Sequence, residues 1–398
     1  MNATARKLTF QQARPYAPRV LARAAGAIDV AREKAAAVDR DGRFPHEAFD
    51  ALRAAQLLGA GVPVELGGLG AGLAEIAQLC AALGEVCSST ALIYAMHNVK
   101  IACLARHHRG EAPILGLLAE IAGRQWLVAS STTEGVRGGD IRNSEAAIQR
   151  NGPRIALERR ATVISYAEHA DALVTTARRA EDSAPSDQVL LALRKCDYTL
   201  TPLNGWDTFG MRGTCSKGFN LVADADAGQV MGEDYSVIHS ETMTPAAHLL
   251  WGAVWLGIAS EAYRRARDFT RAAARGAGGA MPPGAVKLTQ ARLSLDALRS
   301  IIGKYALAIG SAEPGAAFSA ADVTLLKVQA SELAVDTVTT AMRVTGLAGY
   351  RNDGAFSCGR LLRDVLSAPL MINNERILAA AQAGLAMSEA PAAADFLL

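Results

Sequence analysis

The chain has 398 residues, long enough for two or three domains with sizeable cores. Its 41 basic and 39 acidic residues nearly cancel, so charge gives no case for a nucleic-acid partner. Six cysteines form no CxxC pair and no Cys/His cluster at zinc spacing, and the sequence has no run of about 18 strongly apolar residues. We therefore expect a reduced, cytoplasmic protein with no metal site and no membrane span.

Periodicity divides the chain into three segments. Residues 1–125 are expected to form an N-terminal helical domain, because apolar residues recur at helical spacing from Val20 to Ile121. Residues 126–235 carry short β-rich runs such as WLVASS and QVLLALR, which predict a small β-barrel or sandwich. Residues 236–398 return to helical spacing and predict a C-terminal four-helix bundle. Because strands and helices do not alternate, the pattern indicates a multi-domain α+β fold.

A glycine-rich stretch, TTEGVRGGD at residues 132–140, is the first candidate binding loop. It lacks the GxxxxGK[ST] pattern of a P-loop, which uses a Lys to hold phosphates. It also lacks the GxGxxG pattern that opens a dinucleotide-binding unit. On its own, the stretch is more typical of a surface turn than of a binding site.

Six segments in a fixed order along the chain change that interpretation. TTEGVRGGDI resembles the TEPGAGSD loop of the acyl-CoA dehydrogenase superfamily of flavoproteins, and GMRGTCS is similar to that family's WxxxGMRxT element. The resemblance covers nearly the whole chain. It implies an acyl-CoA dehydrogenase-like fold, an FAD that lies across two subunits, and a homodimer or homotetramer. The other segments are VPVELGGLGAG, ATVISYAEHAD, WLGIASEAYRRARDF and RVTGLAGYRNDGAFSCGRLLRD.

By position, the resemblance assigns residues to the flavin ring. Thr132 and Thr133 would line its pyrimidine end, while Gly138 and Gly139 would lie near the thioester of the bound substrate. Glycines let the backbone approach a flat ligand closely. Ser165 falls where the family has a hydroxyl near flavin N5, and an ordinary strand hydroxyl is the alternative interpretation.

Further cofactor contacts are implied elsewhere in the chain. Val163 falls where many members have a Trp against the ring. Gly346 and Gly349 would lie in the turn that receives the adenine end of a neighbouring subunit's FAD. Asn374 replaces part of a Gly-Thr pair that contacts flavin, and it could donate there or cap a helix. The family's RxxFG sequence, which reaches the FAD pyrophosphate, is not matched here, so FMN is the alternative cofactor.

The chain departs from the family at the catalytic base. Most members place a Glu shortly after an RD dipeptide, and that position holds Ile372. A second branch places its Glu near the start of a long helix, where this chain has Ala247 followed by His248. His248 is the first candidate for a replacement base, because an unperturbed His has a pKa of about 6.5. His97 is the second candidate, if it faces the same cavity. A buried, hydrogen-bonded histidine is the alternative for both.

Three hypotheses for the function stay open. The first is FAD-dependent α,β-dehydrogenation of an acyl thioester, on CoA or a carrier protein, with electrons passed to an electron-transfer partner. The second is a monooxygenase of the same fold that uses reduced flavin and O₂, a reaction that does not need the dehydrogenase Glu. The third is a flavin- or acyl-binding protein without catalytic activity.

Overall fold

The structure, a computed structural model, describes residues 19–134, 142–310 and 320–387. The N-terminal helices are α1 (Arg19–Arg23), α2 (Ala25–Asp41), α3 (His46–Ala54), α4 (Leu73–Val86), α5 (Ser88–His107) and α6 (Ala112–Arg124). The central helix is α5, and 16 of its 20 residues are buried. It is covered because it packs against α4, against the first strand and against the C-terminal helices.

Seven strands follow within the described residues, all inside the segment predicted to be β. They are β1 (Val128–Ser131), β2 (Gln149–Asn151), β3 (Arg154–Ile164), β4 (Ala172–Arg178), β5 (Gln188–Arg194), β6 (Tyr198–Pro202) and β7 (Lys217–Asp226). They form two sheets, ordered β1-β4-β5 and β2-β3-β7-β6. All pairings are antiparallel except that of β1 with β4. In the described residues no ladder joins the outer strands of the two sheets, so the barrel form of the prediction is not what the chain adopts.

The C-terminal part is helical again, as predicted. The helices are α7 (Tyr235–Ile238), α8 (Thr244–Gly276), α9 (Ala285–Gly310), α10 (Ala320–Thr345), α11 (Leu347–Tyr350), α12 (Gly359–Val365), α13 (Ser367–Leu370) and α14 (Asn374–Met387). A π-helical turn (His239–Met243) leads directly into the long helix α8. Helices α8, α9 and α10 pack against one another, and α14 packs on α10.

Two glycines set the distance between the N-terminal and C-terminal helices. Gly84 in α4 and Gly257 in α8 meet at the helix crossing. A Cβ added to Gly257 would lie 2.1 Å from the carbonyl oxygen of Ala81, closer than any side chain can approach. The close crossing fixes α4 against α8, and α5 packs on both. The cavity described below is lined by α5 and α8.

Three general features complete the description. In the described ranges, no helix is both long and apolar enough to cross a membrane. The same residues contain no group of His, Cys, Asp and Glu side chains arranged to hold a metal ion. All six cysteines are free thiols. The division of the chain into three domains remains a prediction.

Candidate functional site

A cavity of about 730 Å³ lies where the N-terminal helices, the sheets and the C-terminal helices meet. Part of its lining is rich in hydroxyl groups, which come from β1, from β3, from the residues just after these strands and from the turn just before β7. Another part is apolar and comes from α5 and from the region where α8 begins. The hydroxyl-bearing residues of the first part include Ser130, Thr132, Thr133, Thr162, Ser165, Thr214 and Ser216. The apolar residues include Leu92, Met96, Val99, Met243, Ala247 and Trp251.

Ser165 lies just after the end of β3 and belongs to a chain of hydroxyl groups. Ser216 Oγ donates to Ser165 Oγ at 2.8 Å, and Thr214 Oγ1 lies 2.8 Å from Ser216 Oγ. Because Ser165 accepts in this arrangement, its own proton is available to a ligand. Thr132 and Thr133, also predicted to contact the cofactor, line the same cavity.

The other predicted cofactor residues are distributed differently. Val163 lines the cavity and is 39% exposed, so a flat ligand has access to it. Gly346 and Gly349 lie at the junction of α10 and α11, away from the lining of this cavity, and Gly346 has a positive φ of 53°. Gly138 and Gly139 lie outside the described residues. The structure therefore brings the hydroxyl residues and Val163 together, and separates them from the α10–α11 turn.

Glu134 is the only carboxylate among the described residues that line the cavity, and its oxygens are already engaged. They accept hydrogen bonds from Ser144 Oγ and from the main-chain N–H groups of Glu145 and Ala146. Arg159 Nη1 lies 3.2 Å from Glu134 Oε1, and both side chains are buried. This carboxylate holds the loop in place and is not free to accept a proton from a substrate.

His248 lines the cavity, as expected for a catalytic candidate, and is buried. Its Nδ1 lies 2.7 Å from the carbonyl oxygen of Val323, so Nδ1 carries the proton and Nε2 carries the lone pair. Burial lowers the pKa of His248 to about 4. At neutral pH the imidazole is therefore an uncharged hydrogen-bond acceptor.

His97 does not reach the cavity, which corrects the expectation that it faces the same space as His248. Its Nε2 lies 2.7 Å from the carbonyl oxygen of Leu58, and its Nδ1 accepts from the N–H of Val128 at 3.0 Å. Both nitrogens are thus used by main-chain groups, and burial lowers the pKa of His97 to about 4. The side chain ties the loop after α3 to the first strand.

Asn374 is also absent from the cavity lining. Its Oδ1 accepts from Lys327 Nζ at 2.7 Å, and its Nδ2 donates to Ser331 and Glu332. The residue is the first of α14 and is buried against α10. The side chain that was expected to donate to flavin is therefore held inside the C-terminal helices, which separates it from the cavity.

Ile372, at the position of the usual Glu, lines the cavity in an unusual conformation. Its φ is 48°, in the left-handed region that a β-branched residue rarely adopts. Its main-chain N–H makes no hydrogen bond with any described residue and is available to a ligand. Met211 lines the same cavity with a φ of 52°, and Asp364 Oδ1 accepts from its N–H at 2.7 Å.

Lys100 and Trp251 are among the cavity residues that were not identified from the sequence. Lys100 lines the cavity four residues after Met96, although it is only 4% exposed. Trp251 contributes an indole Nε1 that is buried and has no hydrogen-bond partner among the described residues. The spacing of Leu92, Met96, Val99 and Lys100 on α5 is the pattern that could have identified the cavity-facing side of that helix.

These groups fit a flavin ring beside a mostly apolar substrate space. The cavity volume is in the range of small-molecule sites. Hydroxyl groups and the free N–H of Ile372 suit the polar edge of a planar ring, while the apolar residues suit its faces. The unpartnered Nε1 of Trp251 is a further donor for a ligand.

Known proteins resemble this chain in sequence and in structure. The amino sugar nitrososynthase DnmZ of Streptomyces peucetius is 28% identical over 356 residues, which is 84% of each chain. FMN-bound TdsC, a dibenzothiophene monooxygenase of Paenibacillus sp. A11-2, superimposes with a TM-score of 0.79 at 17% identity, over 94% of this chain and 98% of TdsC. Butyryl-CoA dehydrogenase of Megasphaera elsdenii gives a TM-score of 0.79 at 18% identity, over 94% and 99% of the two chains.

Family models match both helical parts of the chain. Residues 21–111 match the acyl-CoA dehydrogenase N-terminal domain. Residues 244–372 match the acyl-CoA dehydrogenase C-terminal domain. Together with the shared fold, these matches show that the chain belongs to the acyl-CoA dehydrogenase family.

Proposed function

We propose that this flavin-dependent oxidoreductase is a monooxygenase, and that its reaction is the N-oxygenation of a primary amine. The observation that carries the proposal is the state of Glu134, the only carboxylate in the described cavity lining, which is bound to Arg159 and Ser144. Dehydrogenation of an acyl thioester needs an acceptor for the α-proton, whereas oxygenation of an amine does not. The similarity to an amino sugar nitrososynthase and to a dibenzothiophene monooxygenase supports the same choice.

The cofactor of the proposed reaction is FMN or FAD. Ser165, Thr132 and Thr133 would hold its polar edge, and Ile372 would offer its main-chain N–H. When bound in its reduced form, the flavin supplies two electrons for the reduction of O₂. Amine, O₂ and reduced flavin give hydroxylamine, water and oxidised flavin, so one oxygen atom enters the product and the other leaves as water.

The protein's contribution is to orient a neutral amine and to exclude water. His248 Nε2 accepts a hydrogen bond from the substrate N–H, because Nδ1 is held by Val323. A pKa of about 4 keeps His248 uncharged at neutral pH, so it adds no positive charge beside the amine. Apolar side chains such as Met96 and Val99 limit the access of water to the reacting atoms.

Incorporation of labelled oxygen tests the proposal. The protein is mixed with FMN or FAD, a separate NADH-dependent flavin reductase and ¹⁸O₂, in the presence of a thymidine-diphosphate 3-amino sugar, hexylamine, aniline or 4-aminobenzoate. We expect an ¹⁸O-labelled hydroxylamine or nitroso product from one of these amines. The His248→Phe variant should form less product, and the exposed, distant Cys196→Ser variant should match the wild type.

Acyl thioester dehydrogenation is the second candidate, and one observation favours it. The free N–H of Ile372 could bind a thioester carbonyl, as the sequence comparison with the family implies. Butyryl-CoA added under argon to the FAD-loaded protein should not bleach the flavin if the monooxygenase proposal is correct. Bleaching, with no ¹⁸O in any product, would replace the monooxygenase by a dehydrogenase with an acyl-CoA or acyl-carrier substrate and an electron-transfer partner. The homodimer or homotetramer stays a prediction.

A further inference from the structure

Lys100 is a buried cation that faces the cavity with almost no partner. It is 4% exposed and lies on α5 among the cavity-lining residues. Its Nζ has one contact in the described structure, the thioether sulfur of Met243 at 3.4 Å. An ammonium group has three protons to donate, and a thioether is a weak acceptor. Most of the hydrogen-bonding capacity of Lys100 is therefore unused.

The other buried Lys and Arg side chains in the described residues each have oxygen partners. Arg159 lies beside Glu134 and also donates to Thr176. Lys327 donates to Asn374 Oδ1 at 2.7 Å, inside a cluster of polar side chains. The fold therefore partners its buried charges elsewhere, and Lys100 is the exception.

The residues around Lys100 supply neither a counter-charge nor the missing hydrogen-bond acceptors. The nearby lining from the same helix and from the start of α8 is apolar, with Met96, Val99 and Met243 among its members. Burial lowers the pKa of Lys100, with Cys103 acting weakly in the opposite direction. A buried ammonium without a counter-charge is costly, so an anionic group that enters the cavity gains strongly by pairing with it.

We propose that Lys100 binds a carboxylate of the substrate in the buried part of the cavity. This rests on the proposed function, since it describes the substrate of that reaction as an amine that also carries a carboxylate. A carboxylate matches one cation with one negative charge. On α8, Thr244 Oγ1 is already paired with His239 Nε2 at 3.2 Å, and Trp251 Nε1 is a single donor without a partner in the described residues. One cation and one indole N–H suit a carboxylate better than a phosphate dianion, which requires several donors.

The first test measures binding without catalysis. Phenylacetate and its neutral isostere phenylacetamide are titrated into the protein loaded with oxidised flavin, and the shift of the flavin absorbance gives each Kd. We expect the wild type to bind phenylacetate at least tenfold more tightly than the amide. Lys100→Met, which replaces the ammonium by an unbranched neutral side chain one atom shorter, should bind both equally, and Lys100→Arg should retain the preference. Equal binding by the wild type, or an unchanged preference in Lys100→Met, would overturn the proposal.

The second test measures the thermal stability of the Lys100→Met variant. A ligand-binding role and a structural role of Lys100 predict opposite changes in its Tm. If the role of Lys100 is to bind a substrate carboxylate, Lys100→Met removes an unpaired buried charge and should raise the Tm of the ligand-free protein. If Lys100 were needed for the fold, the same change would lower it, and that result counts against the proposal. Lys100→Gln serves as a second neutral variant should Lys100→Met fail to fold. Because neither test involves turnover, the carboxylate site can fail while the oxygenation result stands, and the reverse also holds.

Discussion

Acidification should weaken the fold through His97, and the size of the effect follows from its two hydrogen bonds. Nε2–H donates to Leu58 and Nδ1 accepts from Val128, so only the neutral imidazole fits the site. A second proton on Nδ1 would point at the N–H of Val128. Burial accordingly lowers the pKa of His97 from its ordinary value of 6.5 to about 4 in the folded state.

The sign and magnitude follow from proton linkage. The unfolded chain takes up a proton as the pH falls below 6.5, whereas the folded chain does not until about pH 4. The stabilising contribution is therefore complete above pH 6.5 and is lost progressively as the pH falls toward 4. Between pH 8 and pH 5, His97 should remove about 2 kcal/mol from the free energy of unfolding.

Urea unfolding of the flavin-free protein at pH 8 and pH 5, at one protein concentration, measures this. His97→Asn should be less stable than the wild type at pH 8, because Leu58 and Val128 lose their partner, by about 1–3 kcal/mol. The difference should shrink by about 2 kcal/mol at pH 5. Tyr94→Phe is the matched control, because it removes the neighbouring hydrogen bond to Leu57 without removing a group that titrates in this range. Equal pH dependence in wild type and His97→Asn would refute the reasoning.

Three further predictions concern packing and the cavity wall. Gly257→Ala should lower the free energy of unfolding by about 3 kcal/mol through overpacking, since the new Cβ would lie 2.1 Å from a main-chain oxygen. Gly26 has open space around it, so the control Gly26→Ala should raise the free energy of unfolding slightly. Ser165→Ala should raise the Kd for flavin about 2–10-fold in a fluorescence titration, because it removes one hydrogen bond to the ring. Glu134→Gln should destabilise the protein by about 3–5 kcal/mol in thermal unfolding, since it leaves the buried Arg159 unpaired.

Much of the fold could be predicted from the sequence because local patterns and tertiary packing agree. The predicted strand QVLLALR has the same first and last residues as β5. The interruption GAGGAMPPG falls where α8 ends at Gly276 and α9 begins at Ala285. Whether the strands close into a barrel or form two open sheets was harder to predict. Barrel and open sheets share the same alternation, and the choice depends on which outer strands pair.

The site was only partly predictable, and helical phase explains why. His97 and Lys100 are three residues apart on α5, yet only Lys100 lies on the cavity-facing side with Met96. On a helix that is buried nearly all round, the apolar pattern does not mark which side faces a cavity. Asn374 was displaced for another reason, since Lys327, 47 residues earlier in the chain, binds its side chain.

The cavity wall is held in conformations that reduce stability, and this bears on what the site is for. Met211 and Ile372 line the cavity, and Tyr166 and Cys215 are next to lining residues in the chain. All four have positive φ, although none is glycine. Each such residue costs about 1–3 kcal/mol and persists only where neighbouring contacts enforce it.

Such contacts are visible at Tyr166 and Met211, and Cys215 has weaker sulfur contacts with Gly42 and Gly213. Tyr166 donates to the carbonyl oxygen of Val128 at 2.9 Å, and the N–H of Met211 donates to Asp364. The residues with positive φ and the buried, nearly unpartnered Lys100 each make the ligand-free protein less stable. A ligand that accepts from Lys100 relieves part of this, so it should stabilise the protein more than an uncharged ligand of the same shape. Thermal unfolding with phenylacetate and phenylacetamide, corrected for occupancy, would measure that difference, and an equal rise in Tm for both ligands would show that this loss of stability is unconnected with Lys100.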